Sequence, residues 1–244
     1  MSNISIRLEG QSAIVTGAGA GIGRAIALAL ADAGAAVAIN DLNPDRSDDL
    51  ADEINNSGGR AIAFQGDVSN RFQAAALIET AREAFGRIHI LINAAGLYKS
   101  QPVLTIDEWD WRRQLEVITT GTFFCSQLLG RVMADEGGGC IVNIASTAGY
   151  THNLPQGAGY VTAKAGVVAL TSQLARELAP QNIRVNAVCP NFITEPDMPT
   201  YDNPANAMQR TATPEKVAQV ALFLCSDGAS FITGQALVVD GGGY

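Results

Sequence analysis

At 244 residues the chain can bury a sizeable core, and open α/β sheets commonly reach this length as one domain. Apolar residues make up 47 %, charged residues 16 %, and there are 25 glycines, which excludes a disordered chain and suits a fold with many tight strand-to-helix turns. A net charge of −8, with lysine only at 99, 164 and 216 and no basic run, excludes a nucleic-acid surface, and no stretch is apolar for long enough to span a bilayer.

Short apolar runs alternate with helical patterns from end to end. The first residues, Met1–Arg7, lack a secretory apolar region, so a cytoplasmic location is expected. Strands are predicted at Ser12–Thr16, Ala36–Asn40, Ala61–Phe64, Ile88–Asn93, Cys140–Ala145, Arg184–Val188 and Ala236–Val239. Each run is apolar without alternation, the pattern of strands buried on both faces. Helical patterns lie between them at Ile22–Ala33, Phe72–Phe85, Ile106–Met133, Tyr160–Leu178 and Pro214–Cys225. Such repetition predicts right-handed crossovers and a doubly wound, mostly parallel seven-stranded sheet with helices on both faces, a Rossmann fold. The whole of 1–244 is expected to form one domain. Its one irregular piece, 191–213, is rich in Pro, Asn and Thr and is expected to be a short lid or substrate loop. The widely spaced Cys125, Cys140, Cys189 and Cys225, with only His89 and His152, show no zinc-ligand pattern and are expected to be free core thiols.

Between the first strand and first helix runs Thr16-Gly17-Ala18-Gly19-Ala20-Gly21-Ile22-Gly23. Gly17 permits the sharp turn, Gly21 lets the backbone approach a pyrophosphate, and Gly23 lets helix and strand pack closely. The helix N-terminus offers free N–H groups and a positive dipole end to the phosphates. The second strand ends at Asn40-Asp41, where a carboxylate accepts from adenosine ribose hydroxyls and repels a 2′-phosphate. NAD is therefore the expected cofactor, although a turn aspartate taken alone is also consistent with a merely solvated role. The nearest basic residue is Arg46.

The chain resembles the short-chain dehydrogenase/reductase family over essentially its whole length. The matching pieces are Thr16–Gly23, Gly66-Asp67-Val68, Asn93-Ala94-Ala95-Gly96, Ser146, Tyr160-x-x-x-Lys164, Pro190, Thr233-Gly234 and Asp240-Gly241-Gly242. The resemblance implies that Gly17, Gly21, Ile22 and Gly23 hold the pyrophosphate and that Asp41 and Leu42 lie at the adenosine ribose. It likewise places Asp67 and Val68 at the adenine, and Asn93, Ala94 and Gly96 along the cofactor. Lys164 would hold the nicotinamide ribose, with Pro190 and Ile193 at the carboxamide. Family members pair the Tyr160–Leu178 helix across two-fold axes, and small residues on several of its faces (Ala163, Gly166, Ala169, Ser172, Ala175) permit such packing, so a homotetramer is expected.

Hydride transfer at a carbonyl needs a proton donor at its oxygen. Tyr160 is that residue, and because a free phenol titrates near about 10, it needs a neighbouring positive charge to serve near neutrality. Lys164, four residues on, puts its ammonium on the same helical face. Ser146, at the end of the fifth strand, supplies a hydroxyl to the substrate oxygen. The expected reaction moves a hydride between NAD(H) and a small-molecule secondary alcohol or ketone, with Tyr98, Lys99, His152, Leu154, Phe192 and Met198 shaping the pocket. Three features depart from the family pattern. Ile118 stands where the family has Asn, Ser146 precedes Tyr160 by one residue more than usual, and Pro190 is followed by Asn191 instead of Gly. Ile118 opens a second reading, a catalytically impaired NAD-binding protein. A third is an epimerase or dehalogenase using the same Ser-Tyr pair. The intact Gly-rich turn weighs against a halide-pocket enzyme, and the complete Ser146, Tyr160 and Lys164 set weighs against an inert binder.

Overall fold

The computed structural model describes residues 6–151, 154–191, 193–194 and 206–243. Strands β1 (Ser12–Thr16), β2 (Ala36–Asp41), β3 (Arg60–Gln65), β4 (Ile90–Asn93), β5 (Gly139–Ile144), β6 (Ile183–Pro190) and β7 (Ala236–Val239) form one sheet. Their order is β3-β2-β1-β4-β5-β6-β7, and each neighbouring pair runs parallel. The chain winds outward from β1 to β3 and then returns to place β4 on the other side of β1. The carboxyl ends of β1 and β4 therefore flank the crevice where ligands bind in open sheets.

Helices α1 (Gly21–Asp32), α2 (Pro44–Asn56) and α8 (Pro214–Cys225) cover one face, while α3 (Arg71–Phe85), α5 (Gly121–Asp135) and α7 (Ala158–Leu178) cover the other. Successive strand residues feed opposite cores: Ala13 and Val15 of β1 join the first, Ile14 the second. Both faces being buried explains why the strands read as unbroken apolar runs. All four cysteines are buried and free, as expected.

Three helical regions differ from the sequence reading. Helix α2 is absent from the predicted set because it is polar all round except for the stripe Ser47, Leu50, Ala51 and Ile54. Its start is nonetheless written in Asn43-Pro44: the Asn43 side chain accepts from Asp45 N (3.0 Å) and Arg46 N (3.4 Å), with Pro44 in the first turn. The second region, Ile106–Met133, is three pieces, not one helix: α4 (Glu108–Leu115), a π-helical turn Glu116–Thr120, and α5. In that turn Gly121 N donates to the carbonyl of Glu116, five residues back. The wide turn carries Thr119 onto α7, where its hydroxyl donates to Ala163 O at 2.9 Å. The third region, α6 (Ala148–Thr151), is a short helix after β5 that the sequence reading lacks. Among the described residues no helix is long and apolar enough to cross a membrane.

Candidate active site

The Gly-rich turn leaves β1 and enters α1 directly. Helices α2, α3 and α4 are capped by Asn43, Asn70 and Asp107, but Ala20 gives α1 no side-chain cap. Since Arg24 N is bonded to Ala20 O, the amides of residues 21–23 precede the first intrahelical bond and face outward. Gly17 (φ +61°) and Gly21 (φ +54°) hold left-handed conformations. A Cβ on Gly17 would also sit 2.5 Å from Ala95 Cα, so this glycine admits the β4 loop as well as the turn. A Cβ on Gly23 would overlap the Gly17 carbonyl, in line with a close-packing role. Ile22 is half-buried behind the turn.

Asp41 lies directly across this turn. Its Oδ2 accepts from Gly19 N and its Oδ1 from Asn43 N, both at 2.9 Å, and Leu42 beside it is 60 % exposed. Gly19 is required here, because a Cβ would come within 2.8 Å of the carboxylate and 2.7 Å of Arg46 Cβ. Asp67 follows β3 and receives Arg113 Nη2 (2.7 Å), the Ser69 hydroxyl (2.6 Å) and Ser69 N (2.9 Å). Partial burial opposes its charge, but the bonds from Ser69 and Arg113 outweigh this and hold the carboxyl below its usual range. Val68 is buried against Gly121.

At the end of β4, the Asn93 side chain turns into the interior, donating to Ser126 Oγ (3.0 Å) and Asn143 Oδ1 (2.8 Å). Only its main chain remains to line a ligand. Ala94 N and Ala95 N are fixed by Thr16 Oγ1 at 3.1 and 3.2 Å. Gly96 is open to solvent, and a Cβ there would lie 3.7 Å from Lys164 Nζ and 3.9 Å from Ile118 Cγ1.

The three residues read as catalytic converge at the carboxyl ends of β5 and β6. Ser146 Oγ accepts from Ala148 N (3.2 Å) and donates to Pro190 O (3.5 Å). Helix α6 then rests on α7 so tightly that a Cβ on Gly149 would be 2.5 Å from Ala165 N. This contact brings the Ser146 turn onto the Lys164–Ala165 backbone. Lys164 is only 4 % exposed; its Nζ donates to Ile144 O at 2.6 Å and lies 5.6 Å from the Tyr160 ring centroid. Behind them, burial pushes the Cys189 thiol up to about 11, with the Lys164 ammonium pulling the other way. Ile118, 1 % exposed, packs in the same small cluster as Ala145, Ala163, Val167 and Tyr160. The Tyr98 ring meets Tyr160 edge-on, with centroids 5.3 Å apart and planes at 75°.

Pro190 ends β6, and Ile193 is bridged to Ala212. Thr194 bonds Ala212 O and the Thr211 hydroxyl, both at 2.9 Å, which fixes the base of the expected 191–213 loop. Most of that loop, with His152, Phe192 and Met198, lies outside the described residues. Three contributors were not singled out from sequence: Gly19, Arg113 and Gly159. A Gly directly before the tyrosine was the available signal.

A groove of about 500 Å³ opens at the opposite, amino ends of β1–β3 and is lined by small and polar residues such as Gly10, Gln11 and Gly58. It holds neither the Gly-rich turn nor the Ser-Tyr-Lys group. Among the described residues no three His, Cys, Asp or Glu side chains are grouped to hold a metal.

Residues 17–243 match the family profile described as enoyl-(acyl carrier protein) reductase. The chain is 40 % identical to a 3-oxoacyl-[acyl-carrier-protein] reductase of Synechocystis (96 % of this chain, 97 % of that protein). It is 38 % identical to D-threitol dehydrogenase of Mycolicibacterium smegmatis (98 % and 95 %). It is 36 % identical to 7α-hydroxysteroid dehydrogenase of Escherichia coli K12 (98 % and 96 %). A solved 7α-hydroxysteroid dehydrogenase, complexed with NADH and 7-oxo glycochenodeoxycholic acid, superposes with a TM-score of 0.93 at 36 % identity, covering 100 % of this chain and 98 % of that one. With its sheet order, its Gly-rich turn and these relatives, the chain belongs to the short-chain dehydrogenase/reductase family of oxidoreductases.

Proposed function

We propose that the protein is an NAD-preferring dehydrogenase/reductase that moves a hydride between a secondary alcohol and its ketone, with Ser146, Tyr160 and Lys164 as the reacting side chains. The observation that carries this reading is the buried Lys164 ammonium beside the Tyr160 ring at the sheet's crevice. An ammonium so enclosed stabilises a phenolate far better than one in water. Tyr160 then gives its proton to the carbonyl oxygen in reduction and takes it back in oxidation. The Ser146 hydroxyl, held by Ala148 N, orients that oxygen.

The residues present fit a dinucleotide. The uncapped start of α1 with two left-handed glycines leaves unbonded amides of Gly21, Ile22 and Gly23 for a pyrophosphate, with Gly17 shaping the turn. Asp41 and Leu42 would meet the adenosine ribose, and Asp67 and Val68 the adenine. The main chain of Asn93, with Ala94 and Gly96, would line the path. Lys164 would take the nicotinamide ribose, and Pro190 and Ile193 the carboxamide. When bound, the nicotinamide supplies or accepts the hydride. The NADH complex of the structural relative and the Asp41 carboxylate support NAD over NADP. The dehydrogenase names of two relatives support an alcohol substrate.

The test is absorbance at the reduced-nicotinamide band on a panel of secondary alcohols and ketones. Wild type is expected to turn over, and Tyr160→Phe to lose about 10²–10⁴-fold in kcat. Near-wild-type turnover by that variant would move the proton transfer elsewhere. Calorimetric titration should give tighter NAD than NADP, and equal or better NADP affinity overturns the role given to Asp41.

A further inference from the structure

Gln114 has no exposed surface, yet it lies one helix away from every residue placed in the reaction. Its Oε1 accepts from Lys99 N and its Nε2 donates to Asp110 O one turn back, both at 3.1 Å. A Cβ on Gly159 would lie 2.5 Å from Gln114 Nε2 and 3.1 Å from its Cδ, so the amide occupies the space a side chain at 159 would fill. Lys99 is the residue after Tyr98, and Gly159 is the residue before Tyr160. One buried amide thus touches both chain segments that present the edge-on Tyr98–Tyr160 pair.

The strap carrying Tyr98 is fixed at its other end too. Gln101 N donates to Gln156 O (2.9 Å), and the Ser100 hydroxyl reaches Gln156 Oε1 (3.4 Å). Gln101 Nε2 donates to Asp110 Oδ2 (2.7 Å), while Gln101 Oε1 accepts from Asp107 N (3.2 Å). Gln156 itself holds a left-handed φ of +57°, uncommon for a residue with a side chain and kept only where its surroundings enforce it. An edge-to-face partner restricts where a ring can lie. Fixing Tyr98 therefore fixes the direction of the Tyr160 phenol.

We infer that Gln114 is a positioning residue that, together with Gly159, latches the Tyr98 strap to the catalytic helix and so aligns Tyr160 with the substrate oxygen. This rests on the hydride-transfer reading above. The latch exists because a glycine at 159 leaves room for the amide. With a side chain at 159 the amide is displaced, and Lys99 N loses its acceptor.

The experiment compares wild type with Gln114→Leu, Gly159→Ala and the double variant Gln114→Ala/Gly159→Ala, measuring Tm, kcat, substrate KM and NAD Kd. Gln114→Leu keeps the bulk and removes the bonds. It is expected to lower kcat about tenfold and to raise substrate KM, with NAD Kd unchanged, the kind of loss that a displacement within about 1 Å produces. Gly159→Ala is expected to lower both Tm and kcat. The double variant removes the clash and is expected to regain Tm but not kcat. Recovery of kcat together with Tm would show Gln114 to be filler and overturn the inference. So would unchanged kcat and KM in Gln114→Leu, or the absence of Tm coupling between the two positions. Failure of wild type on the whole panel instead overturns the hydride-transfer reading and the inference with it; an active wild type with unaffected variants overturns the inference alone.

Discussion

Ile118 sets the sharpest question at the scale of single residues. Gly96, Lys164 Nζ and the Ile118 side chain meet in one small space, and a branched apolar group there neither donates nor accepts. The ammonium donates to Ile144 O at 2.6 Å, and a water placed against Ile118 would lack a partner on that side. Losing such a water slows proton exchange between Tyr160 and solvent while leaving the hydride geometry intact. Ile118→Asn is therefore expected to raise kcat with NAD Kd nearly unchanged and to lower Tm, because a buried apolar side chain is lost. An unchanged kcat in this variant of an active enzyme would show that the proton leaves by another path. This departure was legible in the sequence because a neighbouring pattern, Val117 before it and Gly121 after it, gives its register. The latch made by Gln114 was not, because the strap of residues 98–101 meets it only in the fold.

At the scale of elements, the sequence reads well wherever burial is two-sided. All seven strands were legible, β1 and β7 to the residue; the central ones are apolar on both faces, and the edge strands β3 and β7 carry short apolar runs of the same kind. Polar α2 is obscured by its hydrophilic composition, although its stripe of Ser47, Leu50, Ala51 and Ile54 and its Asn43-Pro44 start were both readable. The π turn at Glu116–Thr120 was hidden because its composition is ordinary, and only its packing on Ala163 and Gly166 of α7 sets its width. At the far end of β1 and β4, His89 Nδ1 accepts from Ser12 N at 3.2 Å. Burial, aided by the Arg87 charge and opposed by Glu136, lowers the His89 pKa from 6.5. The fold thus favours the neutral ring, and the unfolded chain binds more protons just below that pH. The stabilisation is whole above 6.5 and is lost as pH falls from there through the lowered folded value. Chemical denaturation across pH 4.5–7.5 should show wild-type stability falling on the acid side through this group. His89→Gln should lack that component, and parallel curves for the two proteins would refute the assignment.

Taken whole, the molecule presents an outer stripe on α7 of small side chains, with Ala169 exposed and Ala165 and Ser172 half-buried. It also leaves Phe231, Leu104 and Phe72 more than 80 % exposed. A homotetramer is the expected assembly, and light scattering that reports a monomer at micromolar concentration would contradict it. The unfinished start of α1 has a different consequence, one of timing and local stability. Three amides, those of Gly21, Ile22 and Gly23, begin a helix without a cap, so in the free protein their hydrogens exchange with solvent while the rest of α1 is protected. A bound dinucleotide would supply the missing cap and give these three amides the partners that the free helix start lacks. At about 100 times Kd it adds roughly 2.7 kcal/mol to the folded state. Hydrogen exchange should therefore slow most at residues 21–23 on adding NAD, well ahead of the neighbouring amides of α1, and uniform slowing along the whole helix would mean that the ligand is anchored elsewhere.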